Sequence, residues 1–264
     1  SCTEPGYAEA NSTNAPCDED QAFRNFLPAF EGLLGKHGSV TPAEMQLFAD
    51  FILQVQLPPS PVRSLDDSLR NPAAPAGSEQ RGHDAWFSCG PTTTECAQLD
   101  AAATDTVEDC DGCHSLDPVN GFFGTGGEES FEGEPQHMKV PHNRNMVHKI
   151  GMFSVAGNQV RGTGYLHDGS VDTMKTFLES PLFSLDDQAE RDLEAFMFAF
   201  PSDLAPIVGQ QVTIGPGTFG VADTNARISL IDTMAGTAFA SKILGGNVTP
   251  VSYTHLTLPT QVTV

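Results

Sequence analysis

The sequence predicts a mostly α-helical protein, on three stretches where apolar residues recur every three or four positions. The first, DQAFRNFLPAFEGLLGKHG (residues 20–38), aligns Phe23, Phe26, Leu27, Phe30, Leu33 and Leu34 on one stripe, with Gly35 and Gly38 as stop signals. The second, TPAEMQLFADFILQV (residues 41–55), opens with Thr41 as N-cap, Pro42 in the first turn and Glu44 three residues after the cap. Its apolar residues Met45, Phe48, Phe51, Ile52 and Val55 are expected to face the first helix, giving a helical hairpin. The third, LDDQAERDLEAFMFAF (residues 185–200), is an amphipathic helix whose inner stripe is Leu193, Phe196, Met197 and Phe200.

Between these stretches the organisation is read from punctuation. LPPSPVRSLDDSLRNPAAPAG (residues 57–77) is a proline-rich connector. SEQRGHDAWFSC (residues 78–89) predicts a short helix carrying Trp86 and Phe87, followed by a polar loop. Beyond Pro201 the character changes: VGQQVTIGPGTFG (residues 208–220) alternates like a short strand pair, and TNARISLIDTMAGTAF (residues 224–239) reads as a further helix. The expected divisions are 1–77 as N-terminal helical segment and linker, 78–205 as the central domain, 206–250 as the start of a further unit with short β or irregular structure, and 251–264 as a tail. VSYTHLTLPT, which opens that tail, resembles the translation of a transposase-based sequencing adaptor, so residues from about 251 onward are expected to be non-native.

Charge excludes one large class of function. With 34 acidic against 13 basic residues the net charge is −21, the opposite of the basic face that nucleic-acid binding requires. An acidic surface of this kind can steer a basic protein partner. No apolar run approaches the roughly 20 residues needed to span a bilayer.

The chemistry concentrates in EDCDGCHSLDP (residues 108–118), where Cys110 and Cys113 are two residues apart and His114 follows directly. A zinc reading requires a second pair of ligands at suitable spacing, and His137, His142 and His148 form no such pair. A redox dithiol of the thioredoxin type requires a βαβ setting, and the surroundings show no strand alternation. Cys-x-x-Cys-His is what covalent haem attachment demands: two thiols for the vinyl groups and an adjoining histidine under the iron. The expected fold of the central domain is therefore a cytochrome c-like core wrapped round one haem c, with Asp117-Pro118 ending the haem-binding helix and Phe122 and Phe123 covering a haem edge. The closing helix is expected to cross the one near Gly82–Phe87, with the small Gly82 permitting close approach. The other cysteines, Cys2 with Cys17 and Cys89 with Cys96, fall in two close pairs suited to disulfides, so a periplasmic or otherwise extracytoplasmic compartment is expected.

The second axial ligand is open among several residues. Met152, after a glycine on an expected loop, is the first choice, ahead of Met174 and then Met138, Met146, His137, His142, His148 and His167. A thioether suits reduced iron and raises the potential. Met146 and Met174 lie in helix-like patterns where methionine is commonly core filler. His167-Asp168-Gly169 reads as a turn with a carboxylate-supported histidine.

MKVPHNRN (residues 138–145) and YLHDGSVDTMKTFL (residues 165–178) resemble the C-terminal haem domain of bacterial di-haem cytochrome c peroxidases and their MauG-type relatives. The resemblance covers roughly residues 82–204, with GFFGT, KIGMF and LAPIVGQQVT closer to single-haem relatives of the peroxidases. It implies that Arg144, and similarly Arg161, reach a haem carboxylate. The chain departs from the pattern at Asn143, where the family prefers Leu, and in a longer stretch from Asn145 to Leu166. Three functions follow as expectations. The first is an electron-transfer module with one haem and a redox partner protein, the second the electron-donating haem domain of a di-haem enzyme that reduces hydrogen peroxide, and the third a structural or sensory haem.

Overall fold

The computed structural model describes residues 19–35, 38, 40–87, 110–119, 121–124, 140–150, 162–181, 183, 185–241 and 246–252. The protein is mostly helical with short strands. In chain order the helices are α1 (Glu19–Arg24), α2 (Leu27–Gly32), α3 (Pro42–Ile52), α4 (Glu79–Phe87), α5 (Cys110–Cys113), α6 (Met174–Leu178), α7 (Asp187–Phe198) and α8 (Ala222–Ala235), with a 3-10 turn at Met146–Lys149 between α5 and α6. The strands are β1 (Leu116–Asp117), β2 (Phe122–Phe123), β3 (Phe239–Ser241) and β4 (Gly246–Val248), in two antiparallel pairs. No helix among the described residues is long and apolar enough to cross a membrane.

The centre of the molecule is the contact between α4 and α7. A Cβ built on Gly82 would collide with the Asp192 carbonyl, 2.6 Å from its carbon, and stand 2.8 Å from Phe196 Cβ. The absent side chain is thus what lets the two backbones meet, as the sequence led us to expect. Leu193, Phe196, Met197 and Phe200 are all buried there, with Ala85, Trp86, Met146, Tyr165, Met174 and Leu178. Charge locks the same crossing: Arg81 donates from Nε and Nη2 to both oxygens of the buried Asp192 at 2.8 Å, and the Ser78 backbone N–H donates to the same carboxylate at 2.7 Å. Paired in this way, a carboxylate can be buried without leaving its charge uncompensated. Asp186 caps α7 by accepting from the Gln188 and Ala189 N–H groups.

Four expectations are corrected. The single helix read over residues 20–38 is broken into α1 and α2, because Pro28 has no N–H for the helical ladder and instead sits in the first turn of a new helix. Of the α3 stripe only Met45 is fully buried, together with Ala49; Phe48 touches Phe30 at 5.6 Å between ring centroids, while Phe51, Ile52 and Val55 remain exposed. The cap of α3 does form as expected, with Glu44 N–H on Thr41 Oγ1 and Thr41 N–H on Glu44 Oε2.

The strand pair expected at residues 208–220 is absent. Gly209 and Gly220 adopt positive φ and Phe219 N–H closes a turn on Gly215, so glycine and Pro216 override the alternation. Strands form later, at β3 and β4. Finally, α5 ends at Cys113 and Asp117 lies in β1, because pairing with β2 takes over the backbone. A second, smaller cluster of Ala205, Ile207 and Met234 packs α8 against Leu65 of the linker.

Candidate functional site

Cys110 begins α5, which lies against α4, and is half-buried on the edge of the core. The turn carries on into His114, whose N–H donates to the Cys110 carbonyl at 2.8 Å. The chain then reverses through the small β1–β2 hairpin, with Leu116 opposite Phe123 and Asp117 opposite Phe122. This register brings Gly124 back beside the histidine. Gly124 N–H donates to the Ser115 carbonyl at 2.8 Å, and the Gly124 carbonyl lies 3.0 Å from His114 Nδ1. Gly124 has φ +82°, a conformation that an L side chain rarely adopts.

That contact decides the tautomer of His114. A carbonyl can only accept, so Nδ1 carries the hydrogen and, in the neutral ring, Nε2 carries the lone pair. Burial pushes the His114 pKa below its ordinary value; the neighbouring Gly124 and Pro141 carbonyls oppose the shift but are weaker. A neutral imidazole with Nδ1 tied to a backbone carbonyl is the state in which histidine ligates a metal.

Trp86 flanks the histidine, with ring centroids 5.8 Å apart and the planes tilted by 50°. Its other neighbours are Phe196 at 5.7 Å and Phe200 at 5.5 Å, so the ring links the site to the α4–α7 crossing. The indole N–H is buried and meets no acceptor among the described residues.

On the other side of the hairpin, Phe123 is buried beneath Arg144, whose guanidinium carbon lies 4.6 Å from the ring centroid. Arg144 Nη1 is paired with the buried carboxylate of Asp203, which also accepts the Leu57 N–H at 2.7 Å. Arg144 Nε is buried without an acceptor among the described residues. Asn143 directly before it is fully buried, and its N–H donates to the Phe123 carbonyl at 2.9 Å.

The structure therefore brings together Cys110, His114, Phe123 and Arg144 from the residues singled out in the sequence. Met152 and Arg161 lie outside the described residues, as do Met138, His137 and Cys2, Cys17, Cys89 and Cys96. Met174 and Met146 are buried in the core among Trp86, Phe196 and Phe200. The Met146 carbonyl accepts the Tyr165 hydroxyl at 3.1 Å, and burial together with the charge of Glu194 pushes the Tyr165 pKa up. His142, His148 and His167 are exposed. His167 lies in a turn, as expected, and Asp168 accepts the Ser170 N–H at 2.9 Å; hydrogen bonding to Ser170, helped by His167, lowers the Asp168 pKa.

No protein-family model, curated protein or solved structure matches this chain. Three features of the site were not legible in the sequence. Asp203 pairs with Arg144 across 59 residues and carries no local signal. Gly124 as acceptor for His114 follows only from the hairpin register. The position of Trp86 against the histidine follows from the α4–α5 contact, although its helix was predicted.

Proposed function

We propose that this chain is a c-type cytochrome module of an extracytoplasmic protein, carrying one covalent haem through Cys110, Cys113 and His114 for electron transfer to a partner protein. The observation that carries the reading is His114 itself: it closes a Cys-x-x-Cys-His motif and keeps Nε2 for a metal while Nδ1 is held by the Gly124 carbonyl. The buried donors at Trp86 Nε1 and Arg144 Nε, which meet no acceptor among the described residues, fit a neighbourhood completed by a bound group with hydrogen-bond acceptors. A covalently held haem supplies one-electron redox chemistry.

The roles of the chain's own residues follow. Cys110 and Cys113 supply the thioether sulfurs, and His114 donates the Nε2 lone pair. Trp86 and Phe123, both buried, exclude water from the neighbourhood of the histidine. Arg144 offers Nε to a haem carboxylate while Asp203 holds its Nη1, and Arg161 is proposed for the same role. Met152 is proposed as the sixth ligand, because a soft thioether suits reduced iron. The excess of acidic residues suits a basic redox partner.

The test is the ferric absorption spectrum of protein matured with haem, before and after Met152→Ala. A weak red Met-to-iron charge-transfer band that vanishes with the substitution supports electron transfer through a closed iron. A high-spin spectrum in the unmutated protein would contradict it and favour peroxide reduction at an open site.

A further inference from the structure

Beyond these ligands lies Asn143. It stands where the resembling haem domains prefer leucine, yet it is 1% exposed. Its Nδ2 is buried and meets no acceptor among the described residues. Its backbone N–H donates to the Phe123 carbonyl at 2.9 Å. The side chain fills the space above Gly124: a Cβ built there would lie 2.8 Å from Asn143 Nδ2 and 2.9 Å from Asn143 Cβ and Cγ. Gly124 is the residue whose carbonyl fixes His114. The amide thus packs one residue's width from the hydrogen bond that orients the ligand.

A leucine would fill a similar volume without burying an unpaired polar group, which is costly. What the amide adds is a fixed N–H dipole in a water-poor setting, with its positive end on hydrogen. Such a dipole favours the state of a nearby centre that holds more negative charge, and low dielectric strengthens the effect. Resting on the haem reading given above, we propose that Asn143 is a positioning residue that raises the reduction potential of the haem. It does so by presenting a buried N–H donor beside the His114–Gly124 hydrogen bond.

The experiment is spectroelectrochemical titration of the haem-matured protein and of Asn143→Leu and Asn143→Asp, with urea denaturation of each. Asn143→Leu is expected to shift the ferrous-to-ferric ratio at a fixed potential about tenfold toward ferric, a midpoint lower by about 59 mV for one electron. Asn143→Asp is expected to lower it further and to make it pH-dependent. A role in packing alone predicts the reverse pattern, an altered denaturation midpoint with an unchanged potential, and that result overturns the proposal.

The unmutated protein supplies a reading that needs no variant. The Asn143 side-chain N–H signals are expected to move between the ferric and ferrous states in NMR spectra, and signals that do not move overturn the proposal. Haem that is lost on acid-acetone extraction of the unmutated protein defeats the haem reading itself. Retained haem with an insensitive potential defeats only the assignment of Asn143.

Discussion

Gly82→Ala is the sharpest probe of the helix crossing that carries the site. The added Cβ would stand 2.6 Å from the Asp192 carbonyl carbon and 2.8 Å from Phe196 Cβ, whereas ordinary contact begins at 3.4 Å. The helices must therefore separate by at least 0.8 Å, the difference between 3.4 and 2.6 Å. A gap of about 0.5–1 Å forfeits a quarter or more of the dispersion of the groups that face it, and a buried side chain gains about 5 kcal/mol from some 50 contacts. Loss at Trp86 and Phe196, two of the large rings at the crossing, then comes to about 2.5 kcal/mol. Alanine returns up to about 1 kcal/mol as a better helix former than glycine.

The net expectation is destabilisation by about 1.5 kcal/mol, within the usual range for overpacking, and a Tm lower by about 3–6 °C for a chain of this size. Trp86 is the only tryptophan, so its fluorescence in urea reports the crossing directly. Gly32→Ala is the control, because a Cβ there meets nothing within 4 Å in a helix; it should leave stability unchanged or raise it by up to about 1 kcal/mol. A Gly82→Ala protein as stable as the parent would refute the close approach.

Other substitutions test the surroundings. Arg144→Ala leaves the buried carboxylate of Asp203 without its cation and should cost about 3–5 kcal/mol in denaturation. Thr41→Ala removes the reciprocal cap of α3 and should cost about 1 kcal/mol, read from the same curves. In haem-free protein, burial depresses the pKa of folded His114 below 6.5, so the unfolded chain binds its proton first. Stability should therefore be held above that pH and lost as pH falls through the folded pKa, and His114→Gln should weaken the dependence over that window.

The helices were legible wherever periodicity and end signals agreed. Thr41-Pro42 with Glu44 announced α3, and Leu193, Phe196 and Met197 announced the face that α7 buries. The sequence also located Gly82 as the point of close approach. Periodicity misled where one residue interrupts it: Pro28 divides a continuous apolar stripe, and the glycines around Pro216 turn an alternating stretch away from strand pairing. In the site, Cys110 and His114 were readable because their spacing is local. Asp203 and Gly124 were not, since each meets its partner only after the chain has returned through the linker or the hairpin. Asn143 stood out in the sequence as a departure from the pattern the chain resembles, and the structure buries it.

The most direct test of the account is covalent attachment of haem. The chain, expressed with a haem-maturation system, should keep its haem through acid-acetone extraction and gain the mass of one haem, and Cys110→Ala with Cys113→Ala should abolish both. Haem that extracts from the unmutated protein, or a mass equal to the bare chain, would contradict the central claim.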